Sequence, residues 1–289
     1  MTIFGQSVLF GIMNGSGYIL FAAGMALTFG VMRVMNFAHG EIYMLGGMLT
    51  YALLKSTGLN IVEASVLAVL IVAIFGLVVN RAVIQPVLAV STAAPLLATI
   101  ALSFILLNGA GAIWSNIARI ILPTALYGTV RGGGLAMSYS GLLVIGAGIL
   151  IGVGLHVFMA KAPLGKQMRA TVQNLTGANL VGINTKRIYD YTLIISAALA
   201  ALGAILLGFI HTVNPAMGQP VLLIGFVIVV VAGMGNLLGA TITAVGVGIV
   251  ESLLITYTRA EYAEAMIYAI LIIILLLRPE GLFTRKVRT

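Results

Sequence analysis

The chain has 289 residues, 61% of them hydrophobic and 8% charged, with a mean hydropathy of +1.16. Soluble domains carry about 25% charged residues, so this sequence cannot cover a water-exposed globule and is expected to be a polytopic membrane protein. The net charge of +8 is spread between apolar runs and makes no nucleic-acid patch, and the lack of cysteine excludes disulfides, thiolate metal sites and cysteine nucleophiles.

Met1–Ser7 lacks the basic stretch of a cleaved signal, so the spans themselves are expected to direct insertion. The first apolar run, Val8–Phe29, carries Asn14, Gly15, Ser16 and Gly17. These read either as a close-packing seam or as an unwound part of a pathway. Val34–Leu54 follows, with Asn36, His39, Gly40, Glu41 and Tyr43. Asn36 and His39 can share a helical face, and Gly40 admits a close neighbour. An acidic side chain beside a span must be paired, hydrated or interfacial. A structural hydrogen-bond network, a pathway lining and a proton relay all fit this group. A metal site does not, because His39 and Glu41 two residues apart do not converge on a helix.

Ile61–Val79 and Ala93–Ile113 are further spans, the first ending at Asn80, Arg81 and Pro86, the second carrying Thr99, Ser103 and Asn108. Trp114–Gly134 is mixed and suits a non-cytoplasmic loop or a partly re-entrant segment. Ser138–Met159 is the next span, with Gly148 and Gly152 at a spacing that lets helices approach. Then comes Lys161–Arg187, which has five basic residues and no acidic one. An excess of Lys and Arg beside spans marks the cytoplasmic side. Gly165 to Gly182 within it reads as one or two short polar helices, with Leu164, Met168, Leu175 and Leu180 as apolar anchors for a cytosolic partner.

Ile188–Ile210 is the next span, and His211–Pro220 reads as a break outside the membrane core. Val221–Tyr257 is too long for one crossing. Gly233–Gly239 divides it, leaving Glu251 in the second part, with Gly235 and Gly239 placed for packing or a bend. A last span, Tyr262–Leu277, meets Arg278 and the basic tail Arg285, Lys286 and Arg288, with Glu264 placed to snorkel to its interface. The fold expected is an all-α bundle of about eight or nine transmembrane helices, with room for a broken or re-entrant segment. Five crossings before the central stretch and four after it put the amino terminus outside and the tail in the cytoplasm. Residues 1–289 read as a single membrane domain, with 161–187 as its cytoplasmic segment.

Four blocks, FGVMRVMNFAHGEIYMLGG (29–47), GKQMRATVQNLTGANLVGI (165–183), VAGMGNLLGA (231–240) and LLLRPEGLF (275–283), closely resemble the shorter permease subunit of bacterial high-affinity branched-chain amino acid importers. The resemblance implies an ATP-binding-cassette importer in the bacterial inner membrane. In that family the permease pairs with a second, related permease, two cytoplasmic ATPases power transport, and an extracytoplasmic binding protein delivers the solute. It also implies that 165–183 is the segment coupling the permease to the ATPases, with Gly165, Arg169, Asn174 and Gly182 as matching positions. The block around Asn36, His39, Gly40 and Glu41 matches the family motif without fixing a contact to the solute. No GxxxxGK followed by Ser or Thr occurs in the chain, so it is expected to bind no cofactor of its own, ATP and magnesium belonging to the partner ATPases, and to catalyse nothing itself.

For the path, Asn14, Asn36, His39, Glu41 and Glu251 are the candidates, as membrane-embedded polar groups. The expected solute is a branched-chain or other neutral amino acid. Urea, short amides and aromatic or organic carboxylates are the alternatives within the same mechanism. A secondary transporter using His39, Glu41 and Glu251 as proton sites is the alternative mechanism. Lipid is the surrounding partner, and nucleic acid is not expected.

Overall fold

A computed structural model describes residues 2–91, 93–278 and 281–283; the basic tail and the side chain of Glu264 lie outside the described residues. The helices run α1 (Thr2–Met32), α2 (His39–Thr57), α3 (Ile61–Val79), a π-turn at Asn80–Ile84 and the short α4 (Gln85–Val87). After these come α5 (Ala94–Trp114), strands β1 (Thr129–Gly132) and β2 (Leu135–Ser138), α6 (Tyr139–Lys161), α7 (Pro163–Gln173) and α8 (Leu175–Leu180). The remainder is α9 (Thr185–Gly208), α10 (Gly218–Ala232), α11 (Leu237–Tyr257) and α12 (Ala260–Leu277). Among the described residues six helices are long and apolar enough to cross a membrane, and Gly218–Ala232 and Ala265–Leu277 are shorter apolar helices.

Local signals place the helix ends. Asn60 and Glu63 form a reciprocal capping box at the start of α3. Ser138, Asn174, Asn184 and Asn236 cap α6, α8, α9 and α11 by accepting backbone N–H groups of the first turn. The mixed stretch after α5 closes into an antiparallel hairpin, Thr129 opposite Ser138, which was not expected of an all-α chain. Its turn uses Gly133 and Gly134 with φ of +59° and +78°, values that favour glycine. Gln6 ties α1 to the hairpin through both amide atoms, donating to the Ala136 carbonyl at 2.6 Å and accepting from the Ala136 N–H at 2.9 Å.

α1 is the central post: 83% of its spanning window is buried. It is one unbroken helix, so its Asn-Gly-Ser-Gly patch is a packing seam and not an unwound stretch. A Cβ on Gly11 would stand 2.4 Å from the Ile249 Cα, and one on Gly15 2.7 Å from the Val245 Cα. The backbones of α1 and α11 therefore touch, an arrangement that apolar solvent favours through packing and not through burial alone. Gly148 and Gly152 of α6 close on Ser16 and Ile19 of the same post. α9 packs on its other side, with Thr28 donating to the Ser196 hydroxyl at 2.8 Å and Ser196 to the Gly24 carbonyl at 2.8 Å.

Charge divides the two ends of the bundle. Arg33, Arg81, Lys161, Lys166, Arg169, Lys186, Arg187 and Arg278 gather at one end, which we call the basic end. Lys55, Arg119, Arg131 and Arg259 lie at the other, the hairpin end.

Candidate functional site: two helix starts facing each other

The span expected at Val34–Leu54 is not one helix. α1 ends at Arg33, whose φ of +55° is unusual for a residue with a side chain. This turn sends residues 34–38 back along α1 without helix, and α2 begins only at His39. The His39 ring lies against the middle of α1: Nε2 donates to the Phe21 carbonyl at 3.2 Å, and the Phe21 ring is 4.7 Å from it. A carbonyl can only accept, which puts the proton on Nε2. Phe21 also receives the edge of Tyr43 at 5.4 Å. Two of the helix's side chains thus fix where it starts.

The other broken stretch, His211–Pro220, was read as lying outside the core, but Gly218 opens α10 directly against the start of α2. A Cβ on Gly218 would fall 2.3 Å from the Gly40 carbonyl oxygen, and one on Gly40 2.6 Å from that of Gly218. Two helices thus begin beside the middle of α1, one entered from the basic end and one from the hairpin end. Non-helical backbone at such depth persists only where protein or a cavity satisfies it. Here Asn36 Oδ1 accepts the Ala38 N–H at 3.1 Å, and Thr99 of α5 meets the Phe37 N–H at 3.3 Å.

Glu41 stands at this junction, fully buried. Ser103 donates to its Oε1 at 2.9 Å, while among the described residues Oε2 has no hydrogen-bond partner and lies beside Gly218. Asn36 is 5% exposed, and its Nδ2 likewise has no partner among the described residues. Asn36, His39 and Thr28 are the polar members of a cavity of about 170 Å³, otherwise walled by side chains such as Met25, Phe29, Met35, Leu222 and Phe226. Asn36, His39, Gly40 and Glu41 are therefore brought together by the fold.

Asn14 and Glu251 are not part of this group. Asn14 Oδ1 accepts from His211 Nε2 at 3.0 Å, and Tyr18 donates to Glu251 Oε1 at 3.3 Å, both on the hairpin side of α1. Among the described residues no group of three His, Asp or Glu could hold a metal ion.

At the basic end α7 and α8 form a bent pair. α7 is amphipathic and turns Gly165, Met168 and Thr171 into the bundle, with Gly165 against the backbone of Phe158 and Met159. Arg169 is exposed at the mouth of a crevice that it lines, and its Nη2 donates to the Ala160 carbonyl at 3.3 Å. Asn174 holds the bend, its Oδ1 accepting the Gly177 N–H at 2.8 Å. Gly182, φ +84°, ends the pair. The tip carries Leu180 and Val181, 83% and 76% exposed. Gly235, φ +86°, lies against Gly30, and Gly239 sits against the Ala232 carbonyl and Phe283, so both serve the close turn between α10 and α11.

Sequence reasoning missed a second polar centre. Asp190 of α9 accepts from Asn80 at 2.8 Å, from Arg81 at 2.8 and 3.1 Å and from Gln85 at 3.2 Å. This ties the π-turn after α3 to α9 within two turns of the α7–α8 pair. A π-turn exposes its side chains at an offset that an α-helix does not, so the convergence could not be read from spacing. The only available signal was an Asp in a span otherwise poor in acids.

Residues 7–275 match the family described as the permease component of the branched-chain amino acid transport system. The chain is 31% identical to the high-affinity branched-chain amino acid permease protein BraD of Pseudomonas aeruginosa and 30% identical to LivH of Escherichia coli K12. Each alignment covers 97% of this chain and 95% of the relative. A probable branched-chain amino acid permease protein of Methanocaldococcus jannaschii is 28% identical over 91% of this chain and 87% of its own. Among solved structures, a chain of PsaBC from Streptococcus pneumoniae aligns over 96% of this chain and 91% of its own, with a TM-score of 0.48 and 13% identity, too remote to add to the assignment. Members of this family are transport components and not catalysts; three of the four sequence blocks lie on the broken helix, the α7–α8 pair and the α10–α11 turn, and the fourth begins at the end of α12, with Leu282 and Phe283 hydrogen-bonded to that turn. The chain belongs to the branched-chain amino acid transport permease family.

Proposed function

We propose that this chain is one permease of a binding-protein-dependent ABC importer in a bacterial inner membrane, and that it supplies half of the translocation path and a docking tip for a cytoplasmic ATPase. The observation that carries the coupling reading is the tip of α8, where Leu180 and Val181 stand bare in a polar surround. Adjacent apolar side chains so exposed on a polar segment at the basic end mark a surface that a partner protein covers in this reading. The excess of Lys and Arg assigns that end to the cytoplasm, which places the hairpin and the amino terminus outside. Counting α1, α2, α3, α5, α6, α9, α10, α11 and α12 then gives nine passes, two of which, α2 and α10, start within the membrane.

The path is placed beside those two starts. Broken helices whose amino-terminal ends face a common point are a recurrent way to build a transport site. The apolar cavity beside Asn36 and His39 supports a branched-chain or other neutral amino acid over urea, which would need several hydrogen bonds. Asn36, with one free N–H pair, and His39 are the polar contacts proposed there, and Glu41 shapes the junction from behind. The partners are a second related permease, two ATPases that supply ATP and magnesium, and an extracytoplasmic binding protein.

The test is reconstitution of the chain with these subunits in vesicles. Solute-stimulated ATP hydrolysis is followed with leucine, valine, neutral polar amino acids, small amides and urea. Stimulation by branched aliphatic solutes, abolished by Leu180→Asp with Val181→Asp, is expected. Uptake by this chain alone, driven by a proton gradient and unaffected by that change, would replace the proposal with a secondary transporter.

A further inference from the structure

A crevice of about 550 Å³ opens at the basic end between α1, α6, α7 and the start of α11. Its polar wall is formed by Arg169, His156, Gln173 and Asn236, and among the described residues no acidic side chain lines it. Arg169 spends one N–H on the Ala160 carbonyl, while His156 and Gln173 have no side-chain hydrogen bond among the described residues. Arg33 lines the adjoining cavity across Val31, Val172 and Gln173, which adds a second fixed positive charge nearby.

From His156 and Leu238 of the crevice, apolar surface follows towards the middle of the bundle. Val153, a turn from His156 along α6, is 57% exposed, and Ile242, a turn from Leu238 along α11, is 51% exposed. Both turns lead away from the basic end, towards the middle of the bundle. A basic pocket that runs into an open apolar flank matches a ligand with an anionic head and hydrocarbon tails. A soluble anion would have no use for the flank, and a neutral lipid none for the arginine.

We propose that this crevice binds the phosphate of an anionic phospholipid from the leaflet at the basic end, with Arg169 and His156 on the phosphate, Gln173 on the glycerol or headgroup, and the acyl chains along Val153 and Ile242. That the leaflet is the cytoplasmic one rests on the orientation given above; the binding itself does not. A bound lipid would also brace α7 against α1 and α6, so that Arg169 acts on the α7–α8 pair through the lipid and not by touching the ATPase.

The full chain, purified in neutral detergent with the subunits that accompany it, is titrated with phosphatidylglycerol or with phosphatidylcholine of the same acyl chains, and retained lipid is counted by native mass spectrometry. Phosphatidylglycerol should be retained about fivefold better per positive charge engaged. Arg169→Gln with His156→Gln should bring the two lipids level. Arg169→Lys should keep the preference, and Arg187→Gln, outside the crevice, should leave it unchanged. Monodisperse elution of each variant shows that it is folded. Equal retention of the two lipids by the unaltered chain overturns the proposal, as does an unchanged preference in the double variant. Displacement of the lipid by millimolar inorganic phosphate would assign the site to a soluble anion and overturn the lipid assignment. Solute-stimulated hydrolysis is not part of this readout, so failure of lipid binding and failure of the importer reading are separate results.

Discussion

The contact between Gly218 and Gly40 can be tested with one methyl group. In Gly218→Ala the new Cβ would stand 2.3 Å from the Gly40 carbonyl oxygen and 2.6 Å from Glu41 Oε2. Carbon and oxygen at rest need roughly 3.5 Å, so one helix start must retreat by about 1 Å. The obstacle is backbone, which cannot rotate away as a side chain would. Overpacking of this kind costs about 1–3 kcal/mol, and the displacement falls on the junction that fixes Glu41 and α2. A suitable control is Gly146→Ala on α6, where a Cβ meets nothing within 4 Å. It should be neutral or gain up to about 1 kcal/mol from helix propensity. Unfolding in mixed micelles and solute uptake in vesicles, measured side by side, should show Gly218→Ala losing both and Gly146→Ala losing neither. Wild-type stability and uptake in Gly218→Ala would refute the facing-helix geometry.

Changes at four further places probe the rest of the molecule. Asp190→Ala strands the buried Asn80 amide and should cost about 1–3 kcal/mol, whereas Arg81→Gln removes a partner that is 64% exposed and should cost far less; equal losses in micelle unfolding would contradict the hub. Glu41→Gln keeps an acceptor for Ser103 and removes charge from a site where one oxygen has no partner, so its unfolding midpoint should match or exceed wild type. A fall would mean that the charge itself is compensated by the two helix starts, and lost uptake at full stability would assign that charge to transport. Arg33→Gly removes the Cβ that costs roughly 1–2 kcal/mol at φ +55°, so its unfolding midpoint should match or exceed wild type, while the β-branched Arg33→Val should fall below it in the same assay. Leu180→Asp with Val181→Asp should leave unfolding unchanged, because both side chains are exposed, and abolish co-purification of the ATPase; retained co-purification removes α8 from the docking role.

Composition and periodicity sufficed for the class of protein, most helix positions and the polar centre at 161–187, because each of these depends on a local quantity: apolar length, a capping residue, the density of lysine and arginine. Four sequence blocks were enough to place the chain in its family by resemblance. What the sequence could not specify is how segments distant in the chain meet. Val34–Leu54 has the composition of a span, yet its first residues run extended because Arg33 turns the chain back and His39 is held by the Phe21 carbonyl. Nothing local to Gly218 says that it will rest on Gly40, 178 residues earlier, since either glycine could equally have met a side chain. The polar residues at Asn14, Asn36, His39, Glu41 and Glu251 looked alike in sequence, as costly groups in an apolar setting. Only the packing of α1 against α9, α10 and α11 separates them, because an embedded polar group takes its role from the partner that satisfies it, and that partner lies on another helix.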